Sequence, residues 1–143
     1  MTGRLAGVDV AAVNRRVVAQ FRAGGAIEGM HRERLLLLTT TGRRSEQAHT
    51  VPMMFHRDGE RVLVVASNAG AAGHPDWYLN LAVDPQVTIE VGDEPGGAPR
   101  QATAVTVEGD ERTALWEMLK ATYPFFADHE AATTRTIPVV ALR

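Results

Sequence analysis

Apolar residues recur at helical spacing near the start of the chain and then change to strand spacing. Val10, Val13, Val17, Val18 and Phe21 follow the i, i+3, i+4, i+7 pattern of one helix face, which predicts a helix over Val8 to Phe21. Asp9 suits its N-cap and Gly24-Gly25 its stop, and residues 24–29 read as a flexible link. Leu35 to Thr41 (LLLLTTT) is a short apolar run closed by Gly42, and predicts a buried strand. Ala48 to His56 predicts a second strand, with Pro52 at an edge or bulge because proline cannot donate to a ladder. Asp58-Gly59 marks a hairpin turn. Arg61 to Ser67 (RVLVVAS) then predicts a third strand, apolar enough to be covered on both faces.

Asn68 to Gly73 is a loop of small residues, through which backbone N–H groups can approach a ligand closely. Pro75 suits the first turn of a helix that presents Trp77 on the same side as Asn80 and Leu81 and ends at Asp84-Pro85. Gln86 to Val91 and Arg100 to Val107 alternate as fourth and fifth strands around a polar turn at 92–99. Asp110 to Thr122 predicts a helix with Leu115, Trp116, Leu119 and Tyr123 on one side. Pro124-Phe125-Phe126 opens a short irregular or helical segment, and Ile137 to Leu142 predicts a sixth strand. Short strands, tight turns and isolated helices favour an antiparallel sheet or small barrel over a βαβ array.

The 143 residues fit one domain, 1–143, with an N-terminal amphipathic helix at 8–22. A net charge of -2 argues against a nucleic-acid partner held by bulk charge. The absence of cysteine excludes disulfides, thiolate catalysis and Cys-ligated metal. No apolar h-region follows Met1-Thr2-Gly3-Arg4-Leu5, and no apolar run reaches the ~20 residues of a membrane span, so a cytoplasmic protein is expected. Arg15, Arg16 and Arg22 line the polar side of the first helix. Docking on the core is the plainer reading of that helix; peripheral contact with the inner membrane face is the alternative.

Side chains alone do not announce a catalyst. His31, His49, His56, His74 and His129 show no HxxxH spacing and adjoin no carboxylate ligand set, so no metal is expected. There is no GxSxG elbow, P-loop or GxGxxG, and Glu28, Glu33 and Glu60 form no acid/base pair. Such a chain suits chemistry in which a cofactor reacts and the protein binds and orients it. Arg43, Arg44 and Ser45 at a strand exit match phosphate or carboxylate oxygens, although a solvated turn is the plainer reading of those residues alone. Beside the small-residue loop and the Trp-Tyr-Asn helix start, they would suit a flat, phosphate-bearing cofactor.

Three blocks extend this reading: LLLLTTTGRRSEQAHTVPM at Leu35 to Met53, VLVVASNAGAAGHPDWYLNLAVDPQVTIEV at Val62 to Val91, and TIPVVAL at Thr136 to Leu142. In their order and spacing the chain resembles the deazaflavin-dependent nitroreductase family, actinobacterial reductases that use coenzyme F-420. The resemblance implies an α+β, mainly β fold: a split β-barrel of about six mostly antiparallel strands with peripheral helices, like the FMN-binding split barrels. It implies hydride transfer from reduced coenzyme F-420 to a small-molecule acceptor, a quinone, nitro compound or other electron-poor group. On the family pattern Arg43, Arg44 and Ser45 meet the cofactor's phosphate and glutamyl tail, and Pro52, Met53 and Met54 lie beside the ring. Val65, Ala66, Ser67 and Asn68 contact the deazaflavin, and Asp76, Trp77 and Asn80 complete the groove. An FMN oxidoreductase of the same barrel type and a non-catalytic carrier of deazaflavin, flavin, haem or a fatty ligand are the alternatives. Related barrels pair, which makes a homodimer an option.

Two departures from the family stand out. Related sequences often carry Lys where Asn68 stands. Tyrosines common in the nitro-reducing members near the C-terminal segment are here Phe126 and His129, which would line the acceptor pocket. Phe126 cannot donate a proton, so activity on nitro drugs is not expected; His129 is the candidate proton donor, with water as the other source, although a surface histidine is at least as plain a reading of that residue.

Overall fold

The computed structural model describes residues 4–5, 8–27 and 29–143. Met1–Gly3, read for a leader, and Glu28, read for an acid/base role, lie outside them. A short antiparallel hairpin, β1 (Arg4–Leu5) and β2 (Val8–Asp9), leads into helix α1 (Val10–Ala23). The helix begins at Val10, two residues later than its apolar pattern suggests, because Val8 and Asp9 are extended in β2. Its ends are capped by side-chain and backbone chemistry: Asp9 accepts from the Ala12 N–H at 3.2 Å, and Gly24 turns left-handed at φ 82°.

Among the described residues seven further strands form one antiparallel sheet: β3 (Leu35–Thr41), β4 (Ala48–Met54), β5 (His56–Asp58), β6 (Arg61–Val65), β7 (Gln86–Val91), β8 (Arg100–Thr106) and β9 (Val139–Leu142). Their order is β4-β3-β7-β8-β9-β6-β5. The two edge strands, β4 and β5, are separated in the chain by Phe55 alone. The sheet must therefore curl until its edges meet, which makes a barrel split along β4. The stretch expected as one strand, Ala48 to His56, is in fact these two edge strands. The buried ring of Phe55 joins the barrel core where the chain crosses over, and its N–H reaches back to the Arg34 carbonyl at 3.4 Å.

Period-two alternation divides each strand between two cores. Leu36 and Leu38 point inward with Val62, Val64, Val87, Ile89, Val140 and Leu142. Leu35 and Leu37 point outward, under Val17 and Phe21 of α1. On the other side Leu63, Val139 and Ala141 lie under Trp116 and Leu119 of α3 (Gly109–Thr122) and Phe126 of α4 (Phe125–Ala131). The four-leucine run is thus apolar throughout because both its faces are covered, and truncating any one of the four to alanine should cost about 2–5 kcal/mol.

The apolar stripe of α1 is used on the sheet. Arg22 on this helix grips the buried Glu90 of β7 through two bonds, Nε to Oε1 at 3.1 Å and Nη2 to Oε2 at 3.0 Å. Arg15 and Arg16 face solvent. Among the described residues no helix is long and apolar enough to cross a membrane. Helix α2 (Asp76–Val83) is the remaining element; it packs by β3 and closes the end of the barrel at which the candidate site lies.

Candidate active site

The turn after β3 is built tightly. Gly42 donates to the Gln47 carbonyl at 2.8 Å, and Glu46 donates back to Gly42 at 2.9 Å with its own φ at 60°. Ser45 Oγ accepts from the Gln47 N–H at 3.2 Å and pairs with His49 Nε2 at 3.1 Å. A Cβ on Gly42 would stand 2.5 Å from Ser45 Oγ and 2.7 Å from His49 Nε2, so any other residue would push these two side chains aside. The two arginines at its tip have different fates. Arg43 is tied to α2: its backbone N–H and Nη1 both donate to Asn80 Oδ1, and Nη2 meets Asp76 Oδ1 at 3.2 Å. Asn80 is 5% exposed and also donates to Thr40 Oγ1 at 3.2 Å, so a buried carboxamide orders the turn. Arg44 is exposed and has no ion-pair partner among the described residues. These groups, with Trp77 and Val51, line a cleft of about 390 Å³.

The loop after β6 is strained and held from behind. Asn68, Ala69 and Gly70 have φ of 49°, 53° and 82°, three successive left-handed residues of which two bear side chains. Arg135 fixes them: its guanidinium donates to the carbonyls of Ala66 at 3.1 Å, Ser67 at 2.7 Å and Ala71 at 2.9 Å, and to His74 Nδ1 at 3.0 Å. Arginine has no acceptor, so His74 must present a bare Nδ1 and carry its proton on Nε2. Burial, and then the Arg135 charge, lower the pKa of His74, consistent with a neutral ring; burial likewise lowers that of Arg135. Ser67 Oγ is paired with His129 Nδ1 of α4 at 3.0 Å.

A second cleft, of about 230 Å³, opens between β4, β5, β6 and the α3–α4 layer. Its walls are mostly apolar, with Met53, Met54, Val65, Phe125 and Phe126, and its polar groups are Ser67, His129, His56 and Tyr123. The two clefts adjoin on β4. Val51 lines the first and Met53 the second, and they share one face of the strand a single pleat apart. A cationic, hydroxyl-bearing cleft therefore runs into an aromatic one along the split of the barrel.

Residues 11–143 match the family model described as F420H(2)-dependent quinone reductase. The chain belongs to the F420H(2)-dependent quinone reductase family. The F420H(2)-dependent quinone reductase Rv1261c of Mycobacterium tuberculosis is 35% identical over 108 residues, covering 75% of this chain and 71% of that one. A solved structure described as an F420-H2 dependent reductase (FDR-A) superposes with TM-score 0.67 at 33% identity, over 80% of this chain and all of the other. Another, described as a domain-swapped dimer, superposes with TM-score 0.70 at 31% identity over 90% of this chain and 96% of its own. The fold is accordingly a split barrel with peripheral helices, as the resemblance implies, and the cofactor of the quinone reductase family is reduced coenzyme F-420.

The residues expected at the site fall mostly into two clefts. Of the residues expected to hold the cofactor, Arg43, Arg44, Ser45, Asp76, Trp77 and Asn80 gather in the first cleft. Met53, Met54, Val65 and Ser67 fall in the second, together with Phe126 and His129. Three line neither. Pro52 pairs with Leu37 and so shares the outward face of the sheet, away from the barrel interior. Ala66 is fully buried, its carbonyl held by Arg135. Asn68 turns its amide onto the Gly73 carbonyl at 3.0 Å and shapes the loop. His56 and Tyr123 also line the second cleft, and Arg135 braces the loop after β6; sequence reasoning missed all three. Their partners lie more than sixty positions away, so no local pattern marks them.

The residues present fit an anionic-tailed cofactor. Arg44 offers an uncompensated cation, Ser45 and His49 offer polar partners for phosphate oxygens, and the glycine-closed turn holds them at one rim. Arg43 is better suited to shaping that rim, because Asn80 and Asp76 already hold its Nη1 and Nη2 groups.

Proposed function

We propose that this chain transfers a hydride from reduced coenzyme F-420 to a quinone, with the cofactor tail in the cationic cleft and the acceptor in the aromatic one. The observation that carries this reading is the junction of the two clefts at Val51 and Met53. When bound, the reduced deazaflavin supplies the hydride. The chain's part is to hold and align. Arg44 and Ser45 would take the tail, Trp77 would cover the cofactor in the first cleft, and the Ser67 loop, stiffened by Arg135, would meet the ring's polar edge. Met53, Met54, Phe125 and Phe126 would stack a flat acceptor and exclude water, so that proximity does most of the work. His129, paired with Ser67, would hold and orient the acceptor's oxygen at that end.

We further propose that two copies associate. Support comes from the solved structure described as a domain-swapped dimer and from the unpaired outer edge of β4. Sedimentation velocity across a concentration series tests this.

Fluorescence titration with reduced coenzyme F-420 and with FMN in parallel, followed by stopped-flow mixing with menadione, tests the function. Tight binding of the deazaflavin and rapid reoxidation are expected. Tight binding without reoxidation would make the protein a carrier, and preference for FMN would move it to the flavin oxidoreductases.

A further inference from the structure

The aromatic cleft has two polar poles, and only one of them, Ser67 with His129, is accounted for above. The other is His56 with Tyr123. His56 lies on β5 opposite Leu63, and so faces the α3–α4 layer. Tyr123 ends α3, its hydroxyl 2.9 Å from His56 Nδ1 and the two rings edge-on with centroids 5.7 Å apart. Between the poles stand Phe125 and Phe126. Their ring centres are 6.1 and 5.9 Å from Tyr123, and 5.6 and 6.0 Å from His129. The cleft is thus an apolar, ring-lined slot with a hydroxyl–imidazole pair at each end.

A para-quinone has the same layout, a flat ring with an oxygen at each end. A nitro group carries both its oxygens on one atom and needs only one pole. We propose that the acceptor is a para-quinone spanning the two poles, that Tyr123 is the catalytic donor to the oxygen remote from Ser67, and that His56 is its positioning residue. The proposal rests on the quinone reductase reading given above.

The chemistry balances. Hydride reaching the carbonyl oxygen beside Ser67 sends an electron pair through the ring to the opposite oxygen. The Tyr123 O–H bond breaks as the new O–H bond forms on that oxygen, giving the hydroquinone. The tyrosinate recovers a proton from Nδ1 of His56, and Nε2 takes one from solvent. The net input is one hydride from the reduced cofactor and one proton from water. A tyrosine hydroxyl has a single proton, so it can donate to the acceptor only if it accepts from its partner. His56 makes that possible, because Nδ1–H can point at the phenol oxygen.

Steady-state kinetics of the holoenzyme with menadione and with 1,2-naphthoquinone, an ortho-quinone whose adjacent oxygens need only one pole, test the proposal in wild type, Tyr123→Phe, His56→Leu and His56→Gln. With menadione, Tyr123→Phe and His56→Leu should lower kcat by about tenfold or more with little change in KM, the lower end of what a positioned general acid contributes. Their effect with the ortho-quinone should be small, and His56→Gln, which keeps a donor at this position, should recover most of the menadione rate. A separate readout uses cofactor-free protein: menadione should perturb the His56 imidazole nitrogen resonances in wild type and leave them unmoved in Tyr123→Phe. Wild-type kcat in both variants, equal losses with both acceptors, or an unperturbed His56 would each overturn the proposal. Failure of wild type to reduce menadione at all would instead overturn the functional reading, and the imidazole titration would still decide whether the second pole binds a quinone.

Discussion

Asn80 Oδ1 accepts two hydrogen bonds from one residue, the backbone N–H of Arg43 at 3.1 Å and its Nη1 at 2.8 Å. A single buried carboxamide on α2 thereby fixes both the backbone of the turn after β3 and the direction of its first arginine. Asn80→Ala leaves the half-buried Arg43 N–H and the buried Thr40 hydroxyl without this partner, which should cost about 1–3 kcal/mol in thermal or urea unfolding and weaken the cofactor. Asn80→Asp keeps the acceptor and should keep most of the stability. Its carboxylate would stand against an anionic tail, so affinity should still fall. Unfolding and cofactor titration of the two variants separate the structural effect from the electrostatic one.

Arg44 is the opposite case. It is exposed and unpaired among the described residues, so Arg44→Ala should change stability by no more than about 0.5 kcal/mol. Cofactor affinity should drop roughly tenfold or more, the scale of one charged hydrogen bond. A deazaflavin lacking the phosphate-bearing tail should bind wild type and variant alike. A variant that loses affinity for this truncated compound as well would place Arg44 at the ring and not at the tail.

These two residues also show how far the sequence can be read. The strands β3 and β7 can be placed to the residue because their apolar runs end at strong turn signals, Gly42 after one and a polar turn after the other. The adjacent arginines are visible as a pair, yet their division of labour is not, since it depends on Asn80, 37 positions from Arg43. The break at Phe55 is hidden for a related reason. Met54, Phe55 and His56 read as continuous strand, and only barrel closure makes the chain cross from one edge to the other at that point. Arg135 is illegible because it contacts no near neighbour's carbonyl: it bonds those of Ala66, Ser67 and Ala71.

The Arg135–His74 contact predicts a dependence on pH. The folded state lowers the pKa of His74 through burial and the nearby guanidinium, so the fold binds fewer protons there than the unfolded chain. Stability should therefore be complete above the ordinary histidine pKa of about 6.5 and fall as pH drops below it towards the lower folded value. Thermal unfolding between pH 7.5 and 5 should show this loss, and His74→Gln, which does not titrate, should show a smaller one. Glu94 and Glu130, lowered chiefly by bonds to Arg100 and Trp116 respectively, contribute only in the acid range below ordinary carboxylate values, and do not confuse the comparison.

Gly70 couples the loop after β6 to α4, and it does so by having no side chain. Its φ is 82°, and a Cβ would stand 2.7 Å from the Ala132 Cβ and 2.9 Å from the His129 carbonyl. Gly70→Ala must strain the loop or push α4 away, at a cost of about 1–3 kcal/mol. Any outward shift of α4 lengthens the 3.0 Å contact between Ser67 and His129, so quinone turnover should fall more than cofactor affinity, whose tail contacts lie in the other cleft. Gly73 is the control: it lies in the same loop, a Cβ there would meet nothing within 4 Å, and Gly73→Ala should leave stability and turnover near wild type. If both glycine variants lose turnover equally, loop flexibility and not the packing of α4 sets the geometry of the pole at Ser67.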